Sequence, residues 1–251
     1  MRWLVGSSLG CALLIVAAAS SSAEPVAVRY LEGVARGFPV LRAQSGEVLA
    51  YGDLVQVAYP DRVENRLVFR FRDGSLYDET VTFDQRGAFT LLAYHIIQRG
   101  PSFPESLDAT IDRATGRYSV RYRADEASAE QTLTGPFELP ADVYNGLLST
   151  LLKNLEPGVS QMVQIVAFTP QPRLVKMLLR PMAEEAVSMS GGVVVAATRY
   201  HIKPQLGLLA SLLVTDLPDV KTWIARGEAP AFLKFEGPLY FMGPIWRIEW
   251  N

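Results

Sequence analysis

The sequence predicts a mainly β protein: a curved antiparallel sheet or open half-barrel of about ten strands, with one main amphipathic helix packed on it. Three observations carry this. Apolar and polar residues alternate with a period of two through most of the stretch from Glu47 to Tyr122. Gly- and Asp-containing turns separate those runs at short intervals, so successive strands neighbour one another. One clear apolar stripe at helical spacing stands out, over residues 140–155.

Residues 1–23 read MRWLVGSSLGCALLIVAAASSSA, with a basic residue at Arg2, an apolar core and a small-residue site ahead of Glu24 and Pro25. That is the build of a secretory signal peptide cleaved near Ala23. An uncleaved anchor is the alternative, but the uncharged stretch is shorter than the roughly 20 residues that span a bilayer comfortably. Cys11 is the chain's single cysteine. It does not read as a lipid-attachment site, because apolar residues Leu13 to Val16 follow it. Residues 24–251 are then a thiol-free, exported chain, periplasmic or extracellular, that reads as one β-rich domain held by core burial alone.

Residues 24–46 read as a leader strand or an extended arm. In the run RLVFRFR (66–72), Leu67, Phe69 and Phe71 share one face and Arg66, Arg70 and Arg72 the other. A turn at Asp73-Gly74-Ser75 predicts a hairpin with Phe71 opposite Tyr77, Leu67 opposite Val81 and Arg70 opposite Asp78. A second turn at Gln85-Arg86-Gly87 leads into a strand over 88–98, and a third at Thr115-Gly116 joins strands over 108–112 and 117–123. Pro140 suits a first helical turn, and Val143, Leu147, Leu148, Leu151, Leu152 and Leu155 form the stripe that would cover the sheet, with Pro157-Gly158 as the stop. Strands resume at 161–168, 173–179, 193–202, 220–225, 232–236 and 245–250.

The chemistry-bearing residues are few. A formal net charge of −2 lacks the basic excess of a nucleic-acid surface. Two histidines and one leader cysteine leave no set for a structural zinc site, and no phosphate loop, dinucleotide fingerprint or GxSxG elbow occurs. No cofactor and no nucleic acid are expected. The hairpin register brings Glu79 beside His95 on the apolar face, a pair with the ingredients of acid–base catalysis; the bland alternative is that the two merely satisfy each other. Asp53, after Gly52, is a third acid that reads as a charge at a strand bulge. The Arg66, Arg70 and Arg72 row reads as a solvated face. Trp223, Trp246 and Trp250 with Phe232, Phe235 and Tyr240 read as core rather than a ligand cage. The run LGLLASLLV, from Leu206 to Val214, reads as a doubly buried strand or hinge, with a lipid- or ligand-facing loop as the functional alternative.

Several blocks carry a resemblance: GFPVLRAQSGEVLAYGDLVQ (37–56), RLVFRFRDGSLYDETVTFDQ (66–85), QRGPSFP (98–104), LPADVYNGLLSTLLKNL (139–155) and TWIARGEAPAFLKFEGPLYFMGPIWRIEW (222–250). Through them the chain resembles an uncharacterised family of exported bacterial proteins, a likeness that implies no activity and no site residues. In architecture it is also similar to the half-barrels that carry lipoproteins and lipids across the periplasm. That likeness implies a non-enzymatic binder or carrier of a lipid-like or amphiphilic ligand. An enzyme built on Glu79 and His95, and an envelope accessory or assembly protein touching the membrane surface through Leu206 to Val214, are the alternatives.

Overall fold

A computed structural model describes residues 25–205 and 220–250. The leader, Cys11 and the apolar run from Leu206 to Val214 lie outside the described residues. The first half of the chain supplies β1 (Ala35–Gly37), β2 (Pro39–Ala43), β3 (Val48–Ala58), β4 (Val63–Phe71), β5 (Leu76–Asp84), β6 (Thr90–Arg99), β7 (Ser106–Asp112), β8 (Arg117–Arg123) and β9 (Gln131–Pro136). A crossover carries the helix α1 (Leu148–Asn154). The second half supplies β10 (Gln161–Phe168), β11 (Pro172–Ser188), β12 (Val194–Pro204), β13 (Val220–Ala225), β14 (Phe232–Gly237) and β15 (Trp246–Trp250).

All fifteen strands among the described residues belong to one antiparallel sheet that does not close. Its order is β10 to β15, then β2 to β9, with β1 paired to β3. Each half is a meander, and the halves join where β15 pairs with β2. The 137–160 crossover therefore runs from one edge of the sheet to the other. Arg113 holds its start, donating from Nη1 to the Leu139 carbonyl at 2.8 Å and from Nη2 to that of Pro140 at 3.0 Å. Its next residues cover the β10 edge: Tyr144 N donates to the Gln164 carbonyl at 2.9 Å, and Gln164 N to that of Asp142 at 2.8 Å. Covering an edge in this way removes a template for unwanted strand pairing.

The expected count of about ten strands is corrected to fifteen. The polar sequence QTLTGP of β9 carries no alternation to announce it, and its Gly-Pro end fits only an edge. Pro181 does not end β11; the strand runs through it, and the pairing with β12 slips between Pro181 and Glu184 to absorb the missing donor.

The helix is also shorter than predicted, seven residues where 140–155 read as helical. Asn145 and Gly146 decide this. Asn145 pairs with the backbone of Val166, donating to its carbonyl at 2.8 Å and accepting from its N–H at 2.7 Å, which ties the segment to β10 as a turn. Gly146 then adopts φ +67°, and the helix starts after it. Beyond that point the stripe behaves as predicted: Leu151 and Leu152 are fully buried, in one core with Phe69, Phe83, Leu91 and Ile111 of the sheet. Each such leucine contributes roughly 1.5–3 kcal/mol relative to exposure. No helix among the described residues is long and apolar enough to cross a membrane.

The N-terminal arm ties the layers together. Val28 N donates to the Gly87 carbonyl and Phe89 N to that of Val26, both at 2.9 Å, so the arm pairs with the β5–β6 connection. It then meets the helix end, where Asn154 Oδ1 accepts from the N–H groups of Arg29 and Tyr30, each at 2.7 Å.

Candidate functional site

Cross-strand pairing fixes which side chains share the helix-bearing face. Leu54 of β3 pairs with Leu67 of β4, and Leu67 with Glu79 of β5, so all three point to one side; Tyr77 and Val81, two residues either way from Glu79, join them. Between this wall and α1 lies a cavity of about 570 Å³. Leu148, Thr150 and Lys153 of the helix segment border it above, and Phe232, Phe235, Ile248 and Trp250 border it on the β14–β15 side. The lining is mainly aliphatic and aromatic, with a few polar groups gathered at two places.

The first is around Glu32 of the arm, a buried carboxylate. It forms an ion pair with Lys153 of α1. Gln56 of β3 donates from Nε2 to Glu32 Oε2 at 3.1 Å and to the Gly33 carbonyl at 2.9 Å. Gln85, in the β5–β6 connection, clasps the Glu32 backbone, accepting its N–H at 2.7 Å and donating to its carbonyl at 3.0 Å.

The second is Glu79, in mid-strand. Tyr94 of β6 donates its hydroxyl to Glu79 Oε1 at 2.8 Å, and the Tyr77 hydroxyl interacts with the same carboxyl. Burial pushes the Glu79 carboxyl above its ordinary value, and the two tyrosine hydroxyls only partly offset that. The same burial, with the neighbouring carboxylate, pushes both tyrosine hydroxyls well up. Protein surrounds the carboxyl, yet it is only half-buried because it opens onto the cavity. Gly146 sits directly over it: a Cβ there would lie 2.3 Å from Val81 Cγ2 and 3.3 Å from the Glu79 carboxyl carbon.

His95 is not part of this site. It pairs with Thr80, whereas Glu79 pairs with Ile96, so Glu79 and His95 point to opposite faces of the sheet. On the outer face His95 Nε2 lies 2.8 Å from Asp108 Oδ1, and Arg121 pairs with the same carboxylate. Burial alone would raise the Asp108 carboxyl, but the hydrogen bonds from His95 and Arg121 hold it below its ordinary value. The proposed acid–base pair is therefore corrected to two unrelated groups. The β5–β6 connection is longer than a three-residue turn because residues 87–89 are engaged by the arm, and a bulge between Thr82 and Phe83 adds one more residue of shift. An odd total turns His95 over.

The other candidates divide between the faces. Asp53 lies outside, 3.4 Å from Arg36, and no bulge marks it. Gly52 beside it is a close-approach position, where a Cβ would lie 2.7 Å from the Phe69 ring and 2.8 Å from the Pro39 carbonyl oxygen. Arg66, rather than Arg70, grips Asp78, through two hydrogen bonds of 2.9 and 2.6 Å. The tryptophan group splits three ways. Trp246 packs in the main core against Phe71 at 5.5 Å, and Trp223 is buried in a second, smaller core with Ala197, Ala225 and Leu233, with Lys234 over its ring at 4.3 Å. Trp250 lines the cavity edge-on to Phe232 at 5.8 Å. Glu32, Gln56 and Lys153 carried no sequence signal; the arm, β3 and the helix bring them together only in three dimensions.

No protein-family model, curated protein or solved structure matches this chain. What the cavity does is therefore read from its own chemistry.

Proposed function

We propose that the protein is an exported, periplasmic, non-enzymatic binder or carrier of a lipid-like or other amphiphilic molecule, with the sheet curling as a half-barrel around the ligand. The observation that carries this reading is the cavity itself. A volume of about 570 Å³ lies in the range of small-molecule sites, roughly 300–1,000 Å³. Its lining pairs a mainly apolar surface, from Leu54, Leu67, Leu148, Phe232, Ile248 and Trp250, with a few placed polar groups. That combination suits a molecule with a chain and a polar end. The leader read from residues 1–23 supports export, and the resemblance to exported bacterial proteins agrees with it.

Mass spectrometry of organic extracts from protein purified from the periplasm tests the reading. A reproducible amphiphile extracted in about one-to-one ratio supports it. A ligand-free protein that also fails to displace a fluorescent fatty-chain probe overturns it.

A further inference from the structure

Cavity-lining charges are not alike in how they are answered. Lys153 is paired with Glu32, and Arg36 with Asp53. Glu79 has no ion-pair partner among the described residues; it accepts a hydrogen bond from the neutral Tyr94 hydroxyl, with that of Tyr77 beside it. Outside the described residues the only basic side chain is Arg2, so the sequence holds no other lysine or arginine to supply one.

The wall around Glu79 also has acceptors to spare. A carboxylate offers about four lone-pair sites, and the tyrosine hydroxyls leave some of them open. Asn65, diagonal to Glu79 on β4, keeps its Oδ1 buried with no hydrogen-bond partner. Aromatic rings of Tyr77, Phe232 and Trp250 border the same space, and their faces attract cations. A ligand group that brings positive charge and several donors fits each of these features.

We propose that the polar end of the ligand is a protonated primary amine seated on Glu79, so that the cavity takes cationic alkyl amphiphiles in preference to neutral or anionic ones. This rests on the cavity being a ligand site. The ammonium supplies the countercharge that Glu79 lacks, and its three donors reach open carboxylate sites while the alkyl chain occupies the apolar lining. Burial disfavours an isolated carboxylate there, and an ammonium opposite it removes that penalty.

Isothermal calorimetry with dodecylammonium, dodecanol and dodecanoate, each below its micelle concentration, tests this on the full protein. The expected order is dodecylammonium about tenfold tighter than dodecanol, with dodecanoate weakest. Glu79→Gln brings dodecylammonium to within roughly threefold of dodecanol. Dodecanol binding as tightly as dodecylammonium overturns the amine assignment while leaving the cavity reading intact, and needs no variant. A preference for the amine that survives in folded Glu79→Gln overturns it equally. Failure of all three probes to bind overturns the cavity reading as well.

Discussion

Glu32 and Glu79 border the same cavity, yet the protein treats their charges in opposite ways. Glu32 is met by Lys153 and by Gln56, and its backbone is clasped by Gln85, so arm, helix and sheet converge on it. Glu79 is met by hydroxyls alone, under a glycine whose backbone packs close above it. A carboxylate that ties three segments together is structural, because a buried ion pair holds its elements only while both partners remain. A carboxylate held in apolar surroundings without a cation stores an unmet demand. In a cavity wall, that demand is available to a ligand.

Substitutions separate the two roles, and the largest effect belongs to the structural end. Lys153→Met leaves Glu32 buried without its cation and is expected to cost about 3–5 kcal/mol in denaturant unfolding. A loss no larger than that of a surface pair would remove the distinction. Gly146→Ala forces a side chain into a φ of +67° and against Val81, at an expected cost of about 1–3 kcal/mol, read as a lowered unfolding midpoint. The same methyl crowds Glu79, so dodecylammonium binding weakens along with stability.

Glu79→Gln acts through pH. The ordinary carboxyl releases its proton near 4.5, and burial holds the proton on folded Glu79 to higher pH. Within that window the folded state binds more protons than the unfolded state, so this group makes stability fall as pH rises, by at most about 1.4 kcal/mol per pH unit. Glutamine has no such slope. The variant therefore gains on the parent protein as pH is raised from 4.5, whereas an unburied Glu79 would give parallel profiles. The smallest effect is expected on the outer face: His95→Ala breaks a part-exposed contact with Asp108 and costs under about 1 kcal/mol in the same unfolding assay.

The two hairpins that flank Glu79's neighbourhood explain how much of this was legible in the sequence. Between β4 and β5 the loop is three residues, as predicted, but it is Arg72-Asp73-Gly74, closed by Phe71 N donating to the Ser75 carbonyl at 3.0 Å. Moving the loop by one residue slides the register by two, so Phe69 rather than Phe71 faces Tyr77, and every side chain keeps its face. Between β5 and β6 the slip is odd. Its causes are the arm's bonds to residues 87–89, made by a segment about sixty positions away, and a local bulge. Neither leaves a trace in the alternation of that hairpin. Faces of β4 and β5 were thus readable, as was Glu79's inward position; its partner Tyr94 was not. The Asn145-Gly146 pair, by contrast, was a visible turn signal inside the leucine stripe, and its weight as a helix breaker is what the stripe concealed.

The central claim is that an amphiphile occupies the space between α1 and the inner wall, with Glu79 at its polar end. Methyl NMR during a dodecylammonium titration tests it most directly. Shifts concentrated at the cavity-lining methyls of Leu54, Leu67, Leu148 and Ile248, with Val68 and Ile97 on the opposite face of the sheet unmoved, are the predicted result. Shifts centred on Val68 and Ile97, or none at the lining methyls up to saturating amine, would contradict it.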